Sequence, residues 1–284
     1  MIVEVVFLPA IATDLSSKLC VVIDVLRATS TLLSMFQAGA RRVFLAESVP
    51  VALSCAAGFP ERPVVCGESG GVRPEGFDHG NSPREFPPGA LEGKDVVFCT
   101  SNGTKAMRRV SEAPVVLTGS LFNSSAVVRA ALREASERGL DVALICSGDI
   151  LGTKFAIDDA FCAGYISTLM EREASAVLSV DDEFRRRRLQ DAAANQPQGP
   201  VVAFEESAIA AMRLYRSYLL GEGRSAEAPS VPPRDAILAA FWDAHNAHVL
   251  REVGLAEDVE HCAQVDITHK VPRLGVEDGR LVLS

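Results

Sequence analysis

The sequence predicts an α/β protein: three α/β/α layers built on a mainly parallel or mixed sheet, either as one body or as two lobes with a site between them. Three observations predict it. Short apolar, β-branched runs alternate with helical patterns as far as about residue 146. The runs are near-continuous in apolar residues, as strands covered on both faces are. Hydroxyl- and glycine-rich segments follow several runs where a helix would begin, as at the strand ends of open α/β sheets.

The elements follow in order. Residues 2–7 (Ile-Val-Glu-Val-Val-Phe) read as a first strand, and 19–23 (Leu-Cys-Val-Val-Ile) as a buried one. Leu32, Leu33 and Phe36 give 29–38 an apolar helical face. Further strands are expected at 42–45, 64–66, 96–99, 115–118 and 142–146, with helices at 48–57, 104–110 and 123–137 between them. Beyond residue 155 helical patterns dominate, at 156–172, 183–192, 204–220, 234–253 and 257–264. Segments 195–200 and 221–233, rich in proline, glycine and small polar residues, read as loops. We read 1–284 as a single domain, whose lobes would be 1–120 and 121–284.

Composition is that of a globular protein, 48% hydrophobic and 23% charged, large enough to bury a substantial core. A net charge of −9 argues against broad nucleic-acid binding, and no basic stripe offsets it. Arg185 to Arg188 follow Asp181, Asp182 and Glu183 and read as a solvated helix face. No apolar stretch approaches the roughly 20 residues of a membrane span. The first residues lack the basic region and cleavage pattern of a leader, so the expected location is cytoplasmic. A homodimer is the default oligomeric expectation. The seven cysteines form no Cys-x-x-Cys and read as reduced, buried thiols.

Three segments carry the candidate chemistry. In the first, Asp24 ends the strand at 19–23, and Arg27, Thr29, Ser30 and Thr31 follow at a helix start. Free N–H groups at such a junction bind anions, and a guanidinium fork fits phosphate or sulfonate oxygens. Asp24 has the wrong charge for an anion unless a cation lies between them, which points to Mg²⁺-assisted chemistry on a small anionic phosphate ester. The plainer reading of Asp24 is a helix cap. In the second, Glu68 sits in a Gly67-Glu68-Ser69-Gly70-Gly71 turn as a natural second carboxylate, with Gly70 and Gly71 allowing close backbone approach. In the third, Ser101, Asn102, Gly103 and Thr104 resemble a shortened phosphate loop, or equally a capped helix start.

Other residues add to these. Asn81 and Ser82 lie in a turn-rich stretch and could bond a substrate oxygen, while His79 could act as acid or base. Asp149 ends another strand, and Asp158 and Asp159 enter a helix, where they read as metal ligands or as dipole-stabilising caps. His245 and His248 are three apart on a helix, but zinc needs more ligands. A thiolate phosphatase needs Cys-x-x-x-x-x-Arg, and Cys20 with Arg27 is one residue too long. A haloacid-dehalogenase-like enzyme needs Asp-x-Asp, and Leu26 stands at the third position.

The segments 23–31, 67–71, 76–83 and 100–104, in this order and spacing, resemble the 2-phosphosulfolactate phosphatases. The resemblance continues through 119–123 and 158–164 and ends near Pro272. It implies a Mg²⁺-dependent hydrolase that converts 2-phospho-3-sulfolactate to 3-sulfolactate and phosphate, in some organisms a step towards coenzyme M. On that reading Asp24 and Glu68 hold Mg²⁺ with Asp158 or Asp159, and Arg27 with the amides of Thr29 to Thr31 stabilises the transferring group. Asn81, Ser82, Asn102 and Thr104 then orient the substrate. Attack by a metal-activated water and attack by Asp24 itself both remain open. Ser69 stands where the family is expected to carry a basic residue, Ser101 where threonine is usual, and His79 where an apolar residue is common. Two further readings stay in view: a phosphatase for another 2-phospho-hydroxy acid, and a non-catalytic anion-binding protein.

Overall fold

The computed structural model describes residues 1–174, 176–178, 201–219 and 229–284. The helix expected at 183–192, the arginines 185–188, the loop at 195–200 and most of that at 221–233 lie outside the described residues. The strands are β1 (Ile2–Val6), β2 (Lys18–Ile23), β3 (Arg42–Ala46), β4 (Val64–Gly67), β5 (Asp95–Cys99), β6 (Val115–Gly119), β7 (Asp141–Cys146), β8 (Ala176–Leu178), β9 (Val201–Phe204), β10 (Leu274–Glu277) and β11 (Arg280–Leu283). The helices are α1 (Ala28–Gln37), α2 (Val49–Ala57), α3 (Gly103–Arg109), α4 (Ser124–Arg138), α5 (Ile157–Glu173), α6 (Glu206–Leu219), α7 (Arg234–Trp242), α8 (His245–Glu252) and α9 (Ala256–Cys262).

The α/β/α expectation holds, with the strands divided between two sheets. One runs β6-β2-β7-β1-β9-β8, and every neighbouring pair is parallel. The other runs β10-β11-β3-β5-β4: parallel over β3, β5 and β4, with the C-terminal hairpin adding antiparallel to β3. Strands from both sides of residue 120 enter each sheet.

The near-continuous apolar strands follow from this layering. Successive side chains of a strand point to opposite faces. In β2, Leu19, Val21 and Ile23 pack beneath α4 and α5, while Cys20 and Val22 face the other way. There they meet Leu32, Met35 and Phe36 of α1 and Ala106 and Met107 of α3, which in turn cover Val43, Val96 and Phe98 of the second sheet. Helices α1 and α3 thus fill the layer between the sheets. Helix α2 covers the outer face of the second sheet, with Ala52 and Ala56 against Phe44 and Val97.

Most expected elements fall within a residue or two of their places. Two expectations are corrected. The helix at 234–253 breaks at Asp243 and Ala244 into α7 and α8. Residue 204 ends β9, and α6 begins at Glu206. The terminal hairpin was not anticipated: residues 274–277 show no buried-strand pattern, and the buried run of β11 covers only Leu281 to Leu283.

Candidate active site

Strands of both sheets end at one cavity of about 250 Å³. Asp24 follows β2, Glu68 follows β4, Thr100 to Asn102 follow β5, and Asp149 lies just past β7; all line it. Ligands of open α/β sheets bind outside the carboxyl ends of the strands, and here two sheets present those ends together. Leu26, Arg27, Gly70, Gly71, Asn81 and, from α8, His245 also line it.

Asp24 is 5% exposed. Its Oδ1 accepts the Ala28 N–H at 3.2 Å, so it does cap α1. Its Oδ2 lies against Gly103, where a Cβ would stand 2.8 Å from it. Only glycine lets α3 begin this close. Burial pushes the Asp24 carboxyl up to about 6; the Glu68 charge adds to this, while Ala28 N–H, Ser147 and Arg27 oppose it. The Leu26–Arg27 peptide that follows is cis.

Arg27 is buried and engaged. It donates to Asp258 Oδ2 at 2.6 Å and to the Gly71 carbonyl at 3.0 Å. Asp258, fully buried on α9, also accepts the Ser82 hydroxyl at 2.7 Å. Asp258 therefore aims the guanidinium at the cavity. Glu68 is a fastener between loops: Oε1 accepts Ser101 N–H at 2.6 Å, and Oε2 accepts Gly71 N–H at 2.9 Å and the Ser101 hydroxyl at 3.1 Å. One lone-pair position of four remains on Glu68.

Of the sequence-predicted residues, Asp24, Arg27, Glu68, Gly70, Gly71, Asn81, Ser101 and Asn102 line the cavity. Thr29, Ser30, Thr31, Ser82, Gly103 and Thr104 do not. The three hydroxyls of α1 bond internally: Thr29 to the Asp24 backbone, Ser30 to the Val25 carbonyl and Ser120, Thr31 to the Asn81 carbonyl. Thr104 donates to the Thr100 carbonyl. They shape the loops from behind. His79 lies away from the cavity, 3.3 Å from Glu85.

Asp158 and Asp159 are buried at the start of α5. Asp159 is committed: it accepts Val25 N–H at 2.9 Å, and the Ser147 hydroxyl and Gly148 N–H at 3.1 Å each. Burial and the charges of Asp158 and Asp24 raise it well above the carboxylate range. Both oxygens of Asp158 lack a hydrogen-bond partner. Burial, then the Asp24 charge, push it up to about 7; first-turn amides only partly oppose this, and neither reaches hydrogen-bond geometry. Among the described residues no three His, Cys, Asp or Glu side chains converge as a metal cluster. The donor chemistry does fit a hard cation that keeps its waters and takes one or two carboxylates: Asp24 ends at the cavity, and Asp158 is an orphaned buried acid beside it. The expected histidine pair diverges: His245 meets Asp149 and His248 meets Arg251.

Cys20 and Cys66 are poor nucleophiles. All seven cysteines are free, and burial pushes the Cys20 thiol up to about 12 and the Cys66 thiol further, against the depressed value a reactive thiolate needs. Sequence reasoning passed over Asp258 as a site residue and singled out Asp149 and His245 only separately. No local pattern joins Asp149 to a partner 96 residues away.

The family model described as 2-phosphosulpholactate phosphatase matches residues 8–276. A protein of Carboxydothermus hydrogenoformans named "Probable 2-phosphosulfolactate phosphatase" is 29% identical over 99% of this chain and 97% of its own length. One of Gloeothece citriformis with the same name is 30% identical over 92% of this chain and 90% of its own. One of Deinococcus radiodurans, again so named, is 40% identical over 51% of this chain and 59% of its own. The cavity at the strand ends, its Asp24–Arg27 wall and a match over nearly the whole chain agree: this chain belongs to the 2-phosphosulpholactate phosphatase family, a family of phosphoric monoester hydrolases.

Proposed function

We propose that the chain is a cytoplasmic, Mg²⁺-dependent phosphatase that hydrolyses 2-phospho-3-sulfolactate to 3-sulfolactate and phosphate. One observation carries the reading: a small cavity walled by Arg27 also holds the carboxylates of Asp24 and Glu68, with the unpartnered acid of Asp158 beside them. Acids beside an anion site are costly without a cation, and the donors are the hard oxygens that Mg²⁺ takes. The names of the relatives support the phosphosulfolactate.

On this reading Asp24, Asp158 and Glu68 would hold Mg²⁺. Bound there, the ion supplies charge neutralisation at the phosphoryl oxygens. Arg27, held in one orientation by Asp258 and the Gly71 carbonyl, presents its fork to the phosphoryl group as negative charge develops. Gly70 and Gly71 on the cavity wall would let backbone approach the ester, and Asn81 and Asn102, also on the wall, would bond its carboxylate and sulfonate. Asp159 fixes the loops after β2 and β7. The nucleophile is either a water or Asp24; inversion of configuration at an isotopically chiral phosphorus excludes the covalent route, and a hydroxylamine- or beryllofluoride-trapped adduct on Asp24 supports it.

Ser69 favours a second reading. It is exposed beside Gly70, and its hydroxyl brings no positive charge to the rim of the cavity. A related 2-phospho-hydroxy acid without sulfonate would need none. The test is phosphate release from 2-phosphosulfolactate and from 2-phospholactate, with Mg²⁺ and with EDTA, for wild type and Asp24→Asn. Release that requires both Mg²⁺ and Asp24 supports the phosphatase; preference for phospholactate moves the substrate to the second reading.

A further inference from the structure

His245 lines the same cavity as Asp24 and takes no part in the chemistry described so far. It opens α8, and its Nδ1 lies 2.8 Å from Asp149 Oδ2. Asp149 is 8% exposed and tightly held: its Oδ1 accepts Ile150 N–H at 2.6 Å, and its backbone exchanges bonds with Lys154 at 2.8 and 3.0 Å. The loop that holds it is strained. Ile150 and Leu151 take φ of 45° and 60°, a region that side-chain-bearing residues, and β-branched ones above all, avoid. Asn102 Oδ1 accepts Leu151 N–H at 2.8 Å and ties this loop to the one after β5. Strain of this kind persists where the surroundings over-determine it, often at active sites.

A carboxylate on Nδ1 fixes the tautomer of an imidazole and leaves Nε2 as the working nitrogen. No hydrogen bond among the described residues engages Nε2 of His245. Among the described residues the other charged groups on the cavity wall are Asp24, Glu68 and Arg27, and on its own helix His248 is turned to Arg251. A secondary alkoxide is a poor leaving group from phosphorus; among the described residues of the wall, Arg27 is held by Asp258 and Gly71, and Asp24 and Glu68 are assigned to the cation.

We propose that His245, positioned by Asp149, is the general acid that protonates the leaving oxygen of the phosphate ester. This rests on the phosphatase reading above. The nucleophile forms a new P–O bond while the ester P–O bond breaks, and its electron pair stays on the hydroxy-acid oxygen. The Nε2 proton moves to that oxygen, leaving neutral imidazole on Asp149. The water consumed in hydrolysis gives up a proton, which restores the imidazolium. Asp149 touches neither substrate nor leaving group and is a positioning residue.

The experiment compares 2-phosphosulfolactate or 2-phospholactate with p-nitrophenyl phosphate, whose leaving group needs no proton. For His245→Gln, turnover of the alkyl ester should fall on the order of 10²-fold or more, that of the aryl ester by less than about threefold. The decline of rate at high pH with the alkyl ester should vanish in His245→Gln. In Asp149→Asn it should move to another pH, the signature of a misplaced or retuned acid. An equal fall on both esters, or an unchanged rate and pH profile with the alkyl ester, overturns the proposal while the phosphatase reading stands. Wild-type protein that releases phosphate from none of the three overturns both. The aryl-ester rate and the melting temperature report whether each variant is folded.

Discussion

Arg27 and Asp258 form an ion pair 2.6 Å long in which both side chains are buried, although 231 residues separate them. It joins the start of α1 to α9 and fixes the direction of the one guanidinium that lines the cavity among the described residues. Buried pairs are costly to break from one side, because the partner is left charged and unsolvated. Asp258→Ala should therefore destabilise the fold by about 3–5 kcal/mol, read by urea unfolding. It should also lower phosphate release in the surviving folded fraction. A loss below about 1 kcal/mol would show the pair to be incidental.

The acid cluster sets a pH dependence. Burial raises Asp24 from 3.8 to about 6, and burial with the Asp24 charge raises Asp158 to about 7. The folded value exceeds the unfolded one, so the protonated acid favours the fold. That contribution is complete below about pH 4 and is lost as pH rises through about 6 to 7. The loss is on the order of 3 kcal/mol for Asp24 alone. In EDTA at pH 8, Asp24→Asn should melt above wild type, and at pH 4 the two should coincide. Identical melts at pH 8 would sink the linkage.

Magnesium should reverse this loss. A ligand that binds only the folded protein stabilises it by about 2.7 kcal/mol at a hundred times its Kd. At pH 8 Mg²⁺ should raise the melting temperature of wild type and leave Asp24→Asn and Asp158→Asn unmoved. A rise of equal size in all three would place the ion elsewhere.

Gly103 tests the packing of α3 against the carboxylate. A Cβ there would lie 2.6 Å from that of Ala28 and 2.8 Å from Asp24 Oδ2. Gly103→Ala should displace Asp24 and lower kcat on the order of 10²-fold, the scale of a misplacement near 1 Å. Unfolding in urea would change far less than the rate. Wild-type kcat would mean that the close approach is not needed.

Asp95 gives the opposite pH sign, far from the cavity. Burial alone would raise it, but the forks of Arg41 and Arg42 outweigh burial and hold it at about 2. Its contribution is present above about pH 4 and is lost as pH falls through 2. Arg41 is largely exposed, so the pair network is worth about 1–2 kcal/mol. Asp95→Asn should lose that amount at pH 7 and match wild type at pH 2, by denaturant titration.

Local chemistry was legible where a strand hands over to a helix. Asp24, Glu68 and Ser101 to Asn102 stand at strand ends, and the sequence marks such ends by an apolar run stopping at glycine and polar residues. The direction of the hydroxyls on α1 was not legible. Thr29, Ser30 and Thr31 look like anion ligands in sequence, yet each hydroxyl finds a backbone acceptor within the fold, because a buried hydroxyl left unpaired is costly. The terminal hairpin was hidden because its buried part, Leu281 to Leu283, is only three residues long, and β10 carries no burial pattern.

By itself the sequence determined the α/β alternation, the order of the strand-end loops and the family to which they belong, because periodicity and turn chemistry act over a few residues. Only the tertiary structure decided that the strands form two sheets sharing α1 and α3, that Asp258 directs Arg27, and that Asp149 meets His245 at the cavity. Those relations join residues from 96 to 231 positions apart. They are set by how whole layers bury their apolar faces against one another, and no local pattern records that.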